Sequence, residues 1–263
     1  MDRGRLNLLP PARRSAADRA LFLLGHCVWG YLLCRLTGQR LQAPIAMPLA
    51  FLLGVLADFD LYVQPLGARH HTYSHSLLVL GPVAAGLLLY QHRRGAVVTV
   101  GLLSHLLTDA LVGSVPLLYP LTAWEVGLHL GIPSAADSLL EVGALLLTLL
   151  YMIRNGDGRT LLQRHGPNLR LLVPLLAIAS LSLLFAQDNS IDLVTYGFSR
   201  RALTAISLGH VVLGAVLGLG VVQGFRGLRA LRASYSCIPY SPALAEHRSA
   251  LRLLRRGIAW RKV

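Results

Sequence analysis

The chain has 263 residues, of which 54% are hydrophobic and 14% are charged, and its mean hydropathy is +0.55. Soluble globular domains carry about 25% charged residues, so these values exclude a soluble protein, and the abundance of Leu, Val and Ile excludes a disordered one. The 25 basic residues outnumber the 12 acidic ones, giving a formal net charge of +13. Most bases lie in tails and short loops beside apolar runs, where they contact membrane lipid headgroups rather than nucleic acid. The sequence predicts an integral membrane protein.

Seven apolar segments follow a polar N-terminal segment (1–19) and predict an all-α, polytopic transmembrane helix bundle. They cover residues 20–36, 43–63, 76–90, 96–118, 138–153, 169–186 and 202–225. A transmembrane helix needs about 20 residues, so the third and fifth segments are expected to extend into their flanks. After the N-terminal segment, the predicted parts are a four-helix membrane domain (20–122), additional membrane helices (123–225) and a basic C-terminal tail (226–263).

Basic residues are distributed unequally between the two sides that seven spans define. Alternate loops place 17 Lys and Arg residues on the side of the C-terminal tail and eight on the side of the N-terminus. In membrane proteins the cytoplasmic loops carry the excess of basic residues. We therefore expect a multi-pass protein of the cell (inner) membrane with a cytoplasmic C-terminus.

Ionisable residues inside the apolar segments are concentrated in the first four. At the centre of a membrane helix such residues cost about 2.5–3.5 kcal/mol each, so they need partners or a function. They are His26, Asp58, Asp60, His70, His71, His75, His105 and Asp109. Adjacent helices of an up-and-down bundle run antiparallel. The start of the first helix, the end of the second, the start of the third and the later half of the fourth therefore share one side of the membrane.

The local spacings suit a metal site. His105 and Asp109 are four residues apart and share one helix face. Asp58 and Asp60 can both reach a common centre only if the second helix ends there, or if one of them acts through another residue. Mixed imidazole and carboxylate ligands favour zinc, manganese or iron over calcium and magnesium. Up to seven candidate ligands exceed the four of a tetrahedral zinc site, so one or two ions are expected.

Two alternatives use the same residues. Buried His and Asp side chains can hydrogen-bond to each other and hold helices together, which is the role expected of a single residue such as His210. The ligands can also bind an ion that crosses the membrane, although transporters place such sites at the midplane between repeated halves, and the sequence has no internal repeat. Convergence from four separate segments favours a metal site over helix packing alone.

The ordered series of these residues resembles the membrane-bound metal-dependent hydrolase family, the YdjM-like group. The family pattern is a His that opens the first helix, then Gly-x-x-x-Pro-Asp-x-Asp, His-Arg-Gly-x-Thr-His-Ser and Ser-His-x-x-x-Asp. The chain has His26, Gly54-Val55-Leu56-Ala57-Asp58-Phe59-Asp60, His70-His71-Thr72-Tyr73-Ser74-His75-Ser76 and Ser104-His105-Leu106-Leu107-Thr108-Asp109. Ala57, His71 and Thr72 replace the family's Pro, Arg and Gly, and Pro120 matches its closing Pro. Residues 20–122 carry the resemblance.

The resemblance implies a membrane hydrolase that depends on a divalent metal, with zinc expected first and manganese or iron as alternatives. The expected metal ligands are His26, Asp58, Asp60, His70, His75, His105 and Asp109. Asp60 is expected either as a further ligand or as the catalytic residue that orients the attacking water. A metal-activated water would attack a phosphoryl or acyl centre. The expected partners are membrane lipids, including a lipid-like substrate, because the site lies at the membrane boundary.

Overall fold

The structure of the chain is a computed structural model that describes residues 23–66, 70, 72–128, 130, 135–188 and 200–236. Within these ranges the chain is helical, and its β contact is an isolated bridge between Val115 and Val126. The α-helices are α1 (Leu23–Arg40), α2 (Met47–Val55), α3 (Leu77–Val112), α4 (Ala135–Arg154), α5 (Asp157–Leu162), α6 (Leu172–Asp188) and α7 (Arg200–Ser236). Three 3₁₀ helices cover Ala57–Leu66, Tyr73–His75 and Gly166–Leu171. The predicted all-α fold is confirmed.

In the part of the chain that the structure describes, four helices are long and apolar enough to cross a membrane. They are Leu77–Val112, Ala135–Arg154, Gly166–Leu184 and Thr204–Ala230. The number of seven spans therefore stays a prediction, and so does the division into domains. The N-terminal segment and the part of the tail after residue 236 lie outside the described residues.

The long helix α3 consists of two antiparallel arms that meet at His92. His92 has φ 41° and ψ −103°, which interrupts the helical geometry. The hydroxyl of Thr99 donates to the carbonyl of Ala84 (3.4 Å), although these residues would be about 22 Å apart in a straight helix. At the open end of this hairpin, the N–H of Leu77 donates to the carbonyl of Leu117 (2.9 Å). The two arms correspond to the third and fourth apolar segments of the sequence.

The second apolar segment is not one continuous helix. Helix α2 covers nine residues, which is about 14 Å and too short to cross a membrane core of about 30 Å. A 3₁₀ helix begins at Ala57 and carries Asp58 and Asp60. Because α2 ends at Val55, Asp58 and Asp60 are not held on opposite faces of one continuous helix.

Helix α1 lies against α2 at a contact that admits only glycine. A Cβ atom on Gly54 would lie 2.0 Å from the carbonyl oxygen of His26, and one on Gly30 would lie 2.5 Å from the Cα of Gly54. Next to this contact the rings of Tyr31 and Phe51 are buried and stacked, with centroids 4.5 Å apart. The backbones of α1 and α2 are therefore held at the closest separation that the chain allows.

The later helices pack on the other side of α1. The hydroxyl of Thr148 in α4 donates to the carbonyl of Val28 (3.4 Å). In α7, His210 Nδ1–H donates to the carbonyl of Ile206 (3.0 Å), and Nε2 accepts from the N–H of Leu24 (3.1 Å). This is the helix-packing role expected of His210. Helix α7 also continues past residue 225 into the start of the basic tail.

The contact between α1 and α2 predicts that Gly54→Ala destabilises the protein. The added methyl group meets backbone atoms, which cannot move aside as a flexible side chain can, so we expect a loss of about 1–3 kcal/mol in unfolding free energy. Thermal unfolding in detergent measures this loss. Gly143→Ala in α4 is the matched control, because no atom lies within 4 Å of its added Cβ, and it should be neutral or slightly stabilising. Equal melting temperatures for the two variants would contradict the prediction.

Candidate metal centre

All seven residues predicted as metal ligands lie in one cluster, at the end of the bundle where α1 begins. Separate elements bring them together: α1, the 3₁₀ helix after α2, the segment before α3, and the second arm of α3. Five of the side chains are buried, namely those of His26, Asp58, His75, His105 and Asp109. The other two are slightly more open, since the side chain of His70 is 13% exposed and that of Asp60 is 11% exposed. The convergence that the antiparallel arrangement predicts is present.

Four atoms form the centre of the cluster. His105 Nε2 lies 2.9 Å from His75 Nε2, 3.3 Å from Asp58 Oδ1 and 3.3 Å from Asp109 Oδ2. His75 Nε2 lies 3.6 Å from the same oxygen of Asp58 and 3.5 Å from the same oxygen of Asp109. A regular tetrahedron with edges of about 3.3 Å has its centre about 2.0 Å from each corner, which matches zinc–nitrogen and zinc–oxygen distances. With either carboxylate oxygen, the two histidine nitrogens therefore form a triangle whose edges match those of a tetrahedral site.

The two histidines from the long helices are oriented by hydrogen bonds at Nδ1. His105 Nδ1–H donates to the carbonyl oxygen of Gly54 (2.8 Å). His26 Nδ1 lies 2.9 Å from the hydroxyl of Thr108, whose proton is directed to the carbonyls of Ser104 and His105. The hydroxyl oxygen therefore accepts from His26 Nδ1–H. In both rings Nε2 keeps its lone pair, as a metal ligand requires.

The two histidines that precede α3 are oriented in the same way by Asp60. One carboxylate oxygen of Asp60 accepts from His70 Nδ1–H (2.7 Å), and the other accepts from the hydroxyl of Ser74 (2.6 Å). Because the Ser74 proton is committed to Asp60, the Ser74 oxygen accepts from His75 Nδ1–H (2.8 Å). Asp60 thus lies on the Nδ1 side of the histidines, away from the four central atoms.

The four imidazoles therefore direct four Nε2 lone pairs toward two buried carboxylates. When both rings are neutral, the lone pairs of His75 and His105 face each other at 2.9 Å, which is repulsive unless a metal ion or an additional proton lies beside them. Neither carboxylate oxygen of Asp109 has a hydrogen-bond donor, and His26 Nε2 lies 3.2 Å from one of them. A metal ion could be held by either of two groups, His26 with His105 and Asp109, or Asp58 with His70 and His75. The donor set fits a metal ion.

Asp60 and His75, which lie outside the four candidate spanning helices, have pKa values that reflect these contacts. Burial disfavours the charged forms and would by itself raise the pKa of Asp60 and lower that of His75. The hydrogen bond from His70 and the nearby His75 ring, whose Nδ1 lies 3.5 Å from Asp60, outweigh burial and hold the pKa of Asp60 well below its usual range. The carboxylates of Asp58 and Asp60, 3.6 and 3.5 Å from its ring nitrogens, raise the pKa of His75 above its usual value. Asp60 is therefore a carboxylate at neutral pH.

Sequence reasoning missed the groups that orient the ligands. Thr108 and Ser74 lie inside the motifs that were singled out, but neither was assigned a role. The carbonyl of Gly54 could not be assigned, because a backbone oxygen leaves no residue-type signal in a sequence. One available signal is position, since Thr108 directly precedes the ligand Asp109 in an apolar helix. His71, which replaces the Arg of the family pattern, lies outside the described residues.

Fold and site together define a helical membrane protein with a buried cluster that can bind metal. The sequence matches the YdjM inner membrane protein family over residues 22–191. The chain belongs to this family, as the resemblance at the histidine and aspartate motifs indicated. The matched region extends beyond residue 122 and includes α4, α5 and α6. No curated protein and no solved structure matches the chain.

The hydrogen bond between Thr108 and His26 predicts a loss of metal affinity in Thr108→Val. Valine has nearly the same shape but cannot accept from Nδ1–H, so the His26 ring loses its fixed orientation. Removing such a supporting group typically weakens metal binding about 10–100-fold. Titration of the detergent-solubilised, metal-depleted protein with zinc measures the dissociation constant.

Thr108→Ser is the matched control for this change, because it keeps the hydroxyl and should bind metal within a factor of about three of the unmodified chain, within the usual scatter of conservative changes. If Thr108→Val bound zinc as tightly as Thr108→Ser, the hydrogen bond would have no role in metal binding.

Proposed function

We propose that this protein is a membrane hydrolase that uses one or two zinc ions, with manganese or iron as alternative metals. The observation that carries the proposal is the shared orientation of four histidines, each tied at Nδ1 and each directing Nε2 toward the same carboxylates. Helix packing alone needs no such common orientation. Metal ligands do, because a histidine ligand almost always donates its second N–H to a neighbouring acceptor.

His75, His105, Asp58 and Asp109 would hold one ion through the four central atoms. Alternatively, two separate groups would hold two ions, His26 with His105 and Asp109 for the first, and Asp58 with His70 and His75 for the second. Mixed nitrogen and oxygen ligands at these spacings fit zinc. When bound, zinc lowers the pKa of a water ligand to near neutrality and stabilises the negative charge that develops on a phosphoryl or acyl group.

The residues of the chain orient the metal ligands, exclude water from the cluster and provide a proton acceptor. Gly54, Thr108 and Ser74 fix the histidine rings, and the apolar packing of α1, α2 and α3 encloses all of the cluster except its His70 and Asp60 side. Asp60 keeps His70 and, through Ser74, His75 in the orientation that ligation needs. Its carboxylate is also the acceptor nearest to the open side, where a substrate and a water molecule would arrive. We assign Asp60 primarily to positioning.

Metal transport is the second candidate function, because α2 ends beside the cluster, and discontinuous helices are typical of transporter ion sites. The packing below the cluster argues against it. There the α1 and α2 backbones are in contact at Gly30 and Gly54, and the Tyr31 and Phe51 rings are stacked and buried. An ion would have to separate these helices to pass. The packing therefore favours a fixed ion over a transported one.

We predict that the purified protein contains tightly bound zinc and that Asp58→Asn loses both the metal and hydrolytic activity. Asn keeps the shape and much of the hydrogen-bonding capacity of Asp but lacks the anionic oxygen. The loss of activity should exceed about 100-fold, since removal of a supporting group alone costs up to that much. Asp60→Asn should be milder because Asp60 acts through the histidines. Metal analysis and hydrolysis of p-nitrophenyl esters and phosphodiesters measure the two effects.

Asp157→Asn is the matched control. It removes another partly buried carboxylate, which pairs with Arg35 at the other end of α1 (2.5 Å). It should lower the melting temperature while leaving the metal content and activity per folded molecule unchanged. Full activity in Asp58→Asn would show that the cluster only packs helices. Zinc flux through vesicles containing the protein, measured with an internal dye, would instead establish transport.

A further inference from the structure

The end of the bundle away from the metal centre is strongly basic. Ten arginines with described side chains lie there: Arg35, Arg40, Arg93, Arg94, Arg154, Arg159, Arg164, Arg170, Arg226 and Arg229. They lie at the end of α1, at the turn of α3, in the segment from the end of α4 to the start of α6, and in the late part of α7. Among the described residues at this end, Asp157 is the acidic one, and it is already paired with Arg35.

Contacts between the helices establish that these arginines share one end. Helix α1 runs away from the cluster, and α4 runs beside it in the same direction, as the contacts of Val28 with Thr148 and of Tyr31 with Asn155 show. The turn of α3 at His92 also lies there, because the two ends of that hairpin meet beside the cluster. A Cβ atom on Gly227 of α7 would lie 2.7 Å from the carbonyl oxygen of Arg164. The basic residues thus form one face of the bundle.

The end of the bundle that carries the metal centre has more acidic than basic residues among its described side chains. Its acidic residues with described side chains are Asp58, Asp60, Asp109, Glu125, Asp137 and Glu141, and its basic residue with a described side chain is Arg201. An excess of arginine marks the cytoplasmic side of a membrane protein. By this rule the basic face is cytoplasmic, and the metal centre lies on the other side of the membrane.

The open side of the metal centre is bordered by exposed aromatic and apolar side chains. His70 and Asp60 are the most exposed residues of the cluster, and their sequence neighbours Phe59, Tyr62 and Tyr73 are exposed, Tyr73 by 55%. The Tyr73 ring contacts that of Tyr119, with centroids 4.8 Å apart. Aromatic side chains of this kind concentrate where a membrane protein meets the interface between lipid and water. The cluster therefore opens at the depth of lipid headgroups.

We propose that the substrate is a membrane amphiphile of the non-cytoplasmic leaflet, taken from the bilayer past Phe59 and Tyr73. Its ester or phosphoester group reaches the cluster beside His70 and Asp60, while its hydrocarbon chain stays in the lipid. Hydrolysis consumes one water: the oxygen of the water bonds to the acyl carbon or phosphorus, the bond to the alcohol oxygen breaks, and the alcohol leaves with a proton from the water. This proposal rests on the proposed hydrolase function.

The first experiment compares lipid and soluble substrates with zinc-loaded protein. Vesicles of phosphatidylglycerol and phosphatidylethanolamine are the lipid probe, and p-nitrophenyl butyrate and bis-p-nitrophenyl phosphate are the soluble probes. Phe59→Asn and Tyr73→Ser should lower kcat/KM for the lipid about tenfold relative to the soluble probes, because each removes an apolar contact with the hydrocarbon chain. Tyr90→Ser is the matched control, since Tyr90 is 82% exposed near the turn of α3 at the basic face. It should leave the lipid rate unchanged.

The outcomes separate this proposal from the proposed function. If the soluble probes are hydrolysed and vesicle lipids are not, the lipid substrate is wrong while the hydrolase function stands. Equal effects of Tyr73→Ser and Tyr90→Ser on the lipid rate would exclude access past the aromatic border. If the zinc-loaded protein hydrolyses none of the probes, the hydrolase function itself fails.

The second experiment tests the leaflet by cysteine labelling in intact cells. In a Cys237→Ser background, where Cys27 and Cys34 are buried, Tyr73→Cys should react with a membrane-impermeant maleimide added outside. Arg94→Cys, on the exposed turn of α3, should react only after the cells are opened. The reverse pattern would place the metal centre on the cytoplasmic side and overturn the leaflet assignment.

Discussion

The backbone contact between α1 and α2 at Gly30 and Gly54 sets the geometry of the metal centre. The contact places the start of α1, which carries His26, directly beside the end of α2. Carbonyl groups in the last turn of a helix lack partners within that helix, and the Gly54 carbonyl is used to accept from His105. This contact therefore orients His105 of α3 and positions His26 of α1. Helix α2 ends directly after the contact, and Asp58 follows within reach of both histidines. A larger residue at position 54 would separate all three.

Burial makes this geometry depend on a cation. Asp58 and Asp109 are carboxylates enclosed by apolar helices, and an unpaired buried charge is strongly unfavourable. The surrounding histidines cannot neutralise them by donating from Nε2 while their Nδ1 protons are committed elsewhere, unless an additional proton is bound. A divalent ion offsets the carboxylates and also relieves the repulsion between His75 and His105. Binding of metal and stability of the folded bundle are thus coupled, as they are wherever a ligand binds the native state alone.

Much of the site follows from the sequence because two simple constraints act on it. Ionisable residues are rare in apolar segments, and consecutive helices alternate in direction, so His26, Asp58, His75 and His105 had to converge if each lay at the expected end of its helix. What the sequence could not give is the means of orientation. Apolar residues continue past Leu56 at Leu61-Tyr62-Val63, so the apolar segment does not show that α2 ends there. A carbonyl acceptor such as that of Gly54 is independent of residue type. Asp60 orients His70 and His75 because of the path that the 3₁₀ helix after α2 takes. Hydrophobic periodicity in the sequence does not indicate that path.

The helices without metal ligands still contribute to the site through α1. The first N–H groups of a helix have no partner inside it, and His210 of α7 accepts one of them, that of Leu24, two residues before the ligand His26. Thr148 of α4 bonds to the Val28 carbonyl two residues after it. These bonds hold α1 from the side opposite α2, so that its position along the bundle axis is determined from both sides. The ligand-bearing helices alone would leave one side of α1, and with it the position of His26 along the bundle axis, without support. The family match includes α4, which supplies one of these bonds, and ends before α7, which supplies the other.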